Sequence, residues 1–113
     1  MAVPSAPAPT PAHLTRHLPA LRAALLEQRR FRADQLSALR AEAPTDQARE
    51  EVTVTLRRAA LVALAGIDAA LARMRAGRYG RCVRCHTTIP LERLEILPAM
   101  ALCMTCQRPE PAR

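Results

Sequence analysis

Cys82-Val83-Arg84-Cys85 and Cys103-Met104-Thr105-Cys106 hold all four cysteines of the chain, with seventeen residues between the two pairs. Two residues between thiolates let one tight turn aim both sulfurs at a single ion. Two such turns close a tetrahedral shell of four sulfurs around zinc. That shell keeps no position for water, so the chemistry is structural and not catalytic. The spacing predicts one structural Zn²⁺ per chain, bound by Cys82, Cys85, Cys103 and Cys106, with His86 beside the first turn and not on the metal.

Three other readings compete. Paired disulfides suit a secreted chain, but Met1 to Pro11 is broken by prolines and has no apolar signal core, so a cytoplasmic location is expected. A redox C-x-x-C needs only one pair, beside a βαβ pattern that this sequence lacks. Cys82 to His86 also reads C-x-x-C-H, the c-type haem attachment pattern. Haem would leave Cys103 and Cys106 without a role, and Phe31 and Tyr79 are the only aromatic residues available to wall it.

The elements that position the cysteines follow from composition. At 113 residues, with one Phe, one Tyr and no Trp, a large globular core is not expected. The apolar half of the chain is mostly Ala and Leu, which suits helices. The formal net charge is +7, and binding zinc through four thiolates would lower it by two. A basic chain points to an acidic partner, nucleic acid included, without identifying one. No apolar run reaches the ~18 residues of a membrane span, so no membrane contact is expected.

The fold class read from the pattern is mainly α: a long antiparallel α-helical hairpin (coiled coil) followed by a small four-cysteine zinc module. Residues 1–17 are Pro- and Ala-rich and read as a disordered tail. Residues 18–77 read as the hairpin, with its tip near 43–48. The first helix spans Pro19 to about Glu42, with Leu18, Leu21 and Leu25, then Leu36, Leu39 and Ala43, on its seam. Between those sets lie Arg29, Arg30 and Arg32, read as a solvated face. Pro44 ends the helix, Thr45 is the expected cap of the next, and the short connection makes the two antiparallel.

The second helix runs from about Asp46 to Ala76, roughly 46 Å at ~1.5 Å per residue. Its stripe is Leu56, Ala60, Leu64, Ile67, Leu71 and Met74, and Gly77 is the expected C-cap. The tip is acidic on a basic chain, since Glu42, Asp46, Glu50 and Glu51 face only Arg49. Residues 78–107 read as the zinc module, covered by Ile89, Leu91, Leu94, Ile96 and Leu97. Residues 108–113 read as a flexible end in which Pro109 and Pro111 oppose a long helix.

The run Gly77-Arg78-Tyr79-Gly80-Arg81-Cys82-x-x-Cys85, with Ile89, Arg93-Leu94, Pro98 and Cys103-x-x-Cys106, resembles the DksA/TraR family of bacterial zinc-finger transcription factors. The resemblance is close over the zinc module, and the hairpin agrees in length and placement. It implies a regulator whose coiled coil enters the secondary channel of RNA polymerase and alters open complexes without reading DNA sequence. A D-x-x-D-x-A motif at the tip approaches the polymerase active centre in that family. Asp46 and Ala48 match its second Asp and its Ala, while Ala43 replaces the first Asp.

His86 stands where the family has Gly after the first cysteine pair, and it tolerates left-handed backbone better than most residues. The positions that bind the alarmone ppGpp in the family fall on Gly66, Leu97 and Gln107, all uncharged, so no alarmone site is expected. The resemblance also implies a monomer with no enzymatic activity; no nucleophile–base set is apparent, and the metal shell is full. The alternative reading is a zinc-ribbon adaptor that binds nucleic acid or protein, though no recognition helix or stacking aromatics support it.

Overall fold

The computed structural model describes residues 8–109. Two long helices dominate, α2 (Leu18–Ala41) and α3 (Gln47–Arg75), preceded by a single turn, α1 (Ala12–Thr15). Two short helices follow, α4 (Leu91–Ile96) and α5 (Met104–Gln107). No β-strand forms among the described residues; one isolated antiparallel bridge joins Arg81 to Thr88. The fold is a helical hairpin carrying a small four-cysteine module.

Helix α2 starts with proline in its first turn, where a missing N–H leaves no bond unmade. It ends at Ala41, and Glu42 is extended, with φ −67° and ψ 138°. The last carbonyls of a helix need donors from elsewhere. Arg57 of α3 supplies two, donating from Nη2 (2.7 Å) and Nε (3.1 Å) to the Leu39 carbonyl. Thr53, nearly buried, donates to the Glu42 carboxylate at 3.2 Å. The two helices are thus tied by polar contacts just below the turn.

The cap of α3 differs from expectation. Asp46, not Thr45, is the N-cap: its Oδ1 accepts the Arg49 N–H at 2.8 Å. At the other end, Gly77 takes φ +72°. Its N–H reaches the Met74 carbonyl (3.1 Å), and the Arg78 N–H reaches the Arg73 carbonyl (2.9 Å). That pair of bonds is a Schellman cap, for which the left-handed glycine is required.

The seam between α2 and α3 has two apolar patches. The lower joins Leu21 and Leu25 to Ile67, Ala70 and Leu71, and it continues into the cysteine module through Tyr79, Ile89 and Leu94. The upper is built on Leu36, Leu39 and Ala60. Between them the polar interruption is real. Arg29 pairs with Asp68 across the hairpin at 2.7 Å, half exposed on both sides. Arg32 donates to Gln35, and Arg30 is exposed. The stripe read for α3 needs correction at its upper end, where Leu56 is 41% exposed and Thr53 is buried in its place. Leu64 is only half buried.

The tail expected over residues 1–17 also needs correction. Residues 1–7 lie outside the described ones, but Leu14 is fully buried in the lower core. The Thr10 N–H donates to the Gly77 carbonyl at 2.7 Å, and Arg81 Nε donates to the Pro9 carbonyl at 2.7 Å. Residues 9–15 therefore dock onto the junction of hairpin and cysteine module. At the other end, α5 stops at Gln107, Arg108 and Pro109 are exposed, and residues 110–113 lie outside the described chain.

Candidate metal centre and hairpin tip

Local backbone geometry brings the cysteines together. Gly80, at φ +92°, turns the chain from the Schellman cap into the first knuckle. A Cβ at this position would overlap the Leu14 Cδ1 methyl, so glycine is needed for space as well as conformation. The knuckle closes through the His86 N–H to the Cys82 carbonyl (2.9 Å) and the Cys82 N–H to the Thr87 carbonyl (2.8 Å). His86 takes φ 64°, the left-handed conformation expected of it. The second knuckle begins helix α5, with the Cys106 N–H directed at Cys103 Sγ (3.5 Å), and the Val83 N–H binds the Ala101 carbonyl (2.9 Å) to join the two.

The sulfurs of Cys82, Cys85, Cys103 and Cys106 all lie within 4.8 Å of one another, and Cys85 and Cys103 are 3.6 Å apart. A tetrahedral zinc with Zn–S bonds of about 2.3 Å has sulfurs about 3.8 Å apart. The four free thiols fit one structural zinc without rearrangement of the knuckles. Their convergence removes the haem and single-pair redox readings, which would leave Cys103 and Cys106 apart from the first pair.

The thiols are unequal. Burial opposes ionisation of Cys82, but backbone N–H groups of Cys103, Cys85 and Arg84 outweigh it and bring the thiol down to about 6. The Thr87 hydroxyl and N–H lower Cys85. Cys106 is pushed up to about 12 by burial and by the neighbouring sulfurs. Four thiolates this close repel one another, and a divalent cation is what would let the last one ionise.

Tyr79 anchors the module to the hairpin. It is fully buried, and its hydroxyl donates to the Pro98 carbonyl at 2.8 Å. Burial pushes it up to about 12, against the nearby Arg73 charge. Arg73 is itself lowered by burial. Ile89 and Leu94 seal the module as expected, but Ile96 (74% exposed) and Leu97 (55%) do not. α4 has only six residues, too few to turn both toward the core.

At the far end of the hairpin, every residue from 41 to 50 is exposed. Asp46 is fixed by its capping bond, and its second oxygen lies 3.8 Å from Arg49 Nε. Ala48 sits in the first turn of α3 and helps line an open hollow of about 610 Å³ with Ala43, Pro44, Arg49 and Val52. At ~1.5 Å per residue, the 29 residues of α3 set Asp46 about 43 Å from the helix end that feeds the cysteine module.

Residues 77–111 match the prokaryotic dksA/traR C4-type zinc finger. The fold as a whole is similar to that of transcription factor DksA2 from Pseudomonas aeruginosa: 28% identity, 86% of this chain and 87% of that chain covered, TM-score 0.70. Its cysteine module is thus that of a DksA/TraR zinc finger, and its fold is DksA-like. No curated protein sequence matches the chain. As in the DksA/TraR zinc finger, the metal's part here is structural: it would hold two knuckles that bury little apolar surface of their own.

Proposed function

We propose that this chain is a transcription regulator that binds RNA polymerase, inserts its hairpin tip into the secondary channel and changes the lifetime of promoter open complexes. The observation that carries the reading is an exposed carboxylate, Asp46, tied by its capping bond to the far end of a long helical pair. The likeness to a transcription factor over most of both chains supports it. In this reading the partner is polymerase itself, DNA sequence is not read, and the chain acts in the cytoplasm as a monomer without catalysis of its own. Zinc, bound by Cys82, Cys85, Cys103 and Cys106, keeps the base of the hairpin folded.

The tip acts through charge. A carboxylate brought near polymerase's catalytic Mg²⁺ perturbs the field of that ion, whereas an amide of the same shape does not. Ala43 supplies no acid at the first position of the tip motif, so within that motif the charge rests on Asp46. Asn caps a helix as well as Asp does, so Asp46→Asn keeps the fold and removes the charge. In a reconstituted transcription assay the variant should bind polymerase like the wild type and lose most of the effect on open-complex lifetime. Wild-type activity in Asp46→Asn would overturn the role of the tip. A salt-steep affinity for DNA in the absence of polymerase would instead favour a nucleic-acid-binding ribbon.

A further inference from the structure

Toward the tip the hairpin runs out of apolar packing. On α3 the buried apolar residue nearest the turn is Ala60, and between it and Asp46 only Thr53 is buried. Val52, Val54 and Leu56 are all exposed. At ~1.5 Å per residue, about 21 Å of α3 therefore extends beyond its last buried apolar side chain.

What closes this stretch is polar. The Leu39 carbonyl, in the last turn of α2, accepts Arg57 Nη2 (2.7 Å) and Nε (3.1 Å), and the Glu42 N–H stands further off at 3.4 Å. A single guanidinium fork thus grips the negative end of one helix from its neighbour. Thr53 lies four residues before Arg57, one turn nearer the tip on the same face of α3. Its hydroxyl donates to Glu42 Oε2 at 3.2 Å, on the first residue of the connection. Among the described residues no backbone bond outside the helices reaches Ala43, Pro44 or Thr45. The course of the connection is set at its two ends, by the Asp46 cap on one side and by these ties on the other. Apolar contact has no direction, whereas hydrogen bonds fix one.

We propose that Arg57 and Thr53 are positioning residues for the tip. They lock the end of α2 to α3, and so fix how the exposed connection stands beside the Asp46 carboxylate. Neither needs to touch polymerase: Thr53 is buried, and two of the three Arg57 nitrogens are taken by the Leu39 carbonyl. The inference rests on the reading of the tip as the acting end. A shift of about 1 Å at a reacting centre can cost on the order of a hundredfold, so ties that set direction matter beyond the stability they add.

The experiment compares four variants in a reconstituted transcription assay, with polymerase affinity measured alongside. Arg57→Met keeps an unbranched chain and removes the fork, and Arg57→Lys keeps the charge alone. Thr53→Val keeps the β-branch and removes only the hydroxyl. Arg58→Ala removes the exposed neighbouring cation. Arg57→Met should bind polymerase within about twofold of the wild type and lose roughly fivefold or more of the effect on open-complex lifetime. Arg57→Lys should recover part of that loss, Thr53→Val should lose roughly two- to threefold, and Arg58→Ala should match the wild type. Amide hydrogen exchange in the last turn of α2 should quicken roughly threefold to tenfold in Arg57→Met, with the amide of Ile67 unchanged. In an Asp46→Asn background Arg57→Met should cause no further loss, because the tie acts through that carboxylate.

The positioning role alone is overturned if Asp46→Asn loses the effect while Arg57→Met and Thr53→Val keep it, or if exchange in the last turn of α2 does not change. Wild-type transcription by Asp46→Asn would instead bring down the role of the tip, and this inference with it. Polymerase affinity that falls in Arg57→Met as steeply as the effect would make Arg57 a contact and not a positioning residue. An equal loss in Arg58→Ala would show that charge matters and the tie does not.

Discussion

Replacing Gly80 by Ala tests how the hairpin, the cysteine module and the N-terminal segment are joined. Two costs add. At φ +92° an L side chain is strained, by about 1–2 kcal/mol. The new Cβ also overlaps the Leu14 methyl; Leu14 is fully buried, so moving that methyl aside repacks the core around it, which adds about 1–3 kcal/mol. Gly80→Ala should therefore cost about 2–5 kcal/mol, a large share of a small domain's stability. Gly77→Ala separates the terms, because Gly77 has φ +72° but nothing within 4 Å of its Cβ position. It should cost only the backbone part, about 1–2 kcal/mol. Leu14→Ala alone should cost about 2–5 kcal/mol. In the Leu14→Ala/Gly80→Ala double variant the clash disappears and the strain stays, so the loss should fall short of the sum by about 1–3 kcal/mol. Denaturant titration of the zinc-loaded protein measures all four. Far-UV circular dichroism follows the helices, and fluorescence of Tyr79, the only tyrosine in a chain without tryptophan, follows the junction. Additivity of the two substitutions to within about 0.5 kcal/mol would refute the Leu14–Gly80 contact.

Other outcomes follow from the same geometry. Chelating zinc should collapse the Tyr79 signal while leaving most of the helical ellipticity, because α4 and α5 hold 6 and 4 residues against 24 and 29 in α2 and α3; simultaneous loss of both signals would show that the hairpin cannot stand without the metal. Tyr79 ionises near 12 when folded against an ordinary 10.0, so stability is fully present below pH 10 and is lost as pH rises toward 12. The full difference is about 3 kcal/mol, and Tyr79→Phe should abolish the alkaline loss while lowering stability at neutral pH through the unpaired Pro98 carbonyl; an unchanged alkaline profile in that variant would place the loss elsewhere.

What could be read in the sequence was what local chemistry fixes. Paired C-x-x-C turns, a proline at a helix start, a glycine at a helix end and a three–four apolar spacing act over a few residues, and each reappears in the structure. What tertiary contact decides was not legible. Leu14 extends the spacing of Leu18, Leu21 and Leu25 by one step, but it lies between Pro11 and Pro19, which mark that stretch as a tail, and its packing involves Gly80, far along the chain. Thr45 and Asp46 can both cap a helix, Asp the better of the two, and the backbone at Asp46, φ −145° and ψ 164°, gives it the role. Leu56 fits the stripe by spacing, yet the seam passes through Thr53 and Arg57, whose donors tie off Glu42 and the end of α2.

The central claim is that the hairpin tip reaches the interior of RNA polymerase, and crosslinking tests it most directly. A photoreactive residue placed at position 46, in the zinc-loaded chain bound to the cognate polymerase, should attach to segments lining the secondary channel next to the active centre. A factor known to occupy that channel should suppress the attachment. The same probe at position 93, on α4 beside the zinc module, should label only the outer surface. Crosslinks from position 46 that fall on DNA or on the polymerase exterior, and that resist competition, would contradict the account.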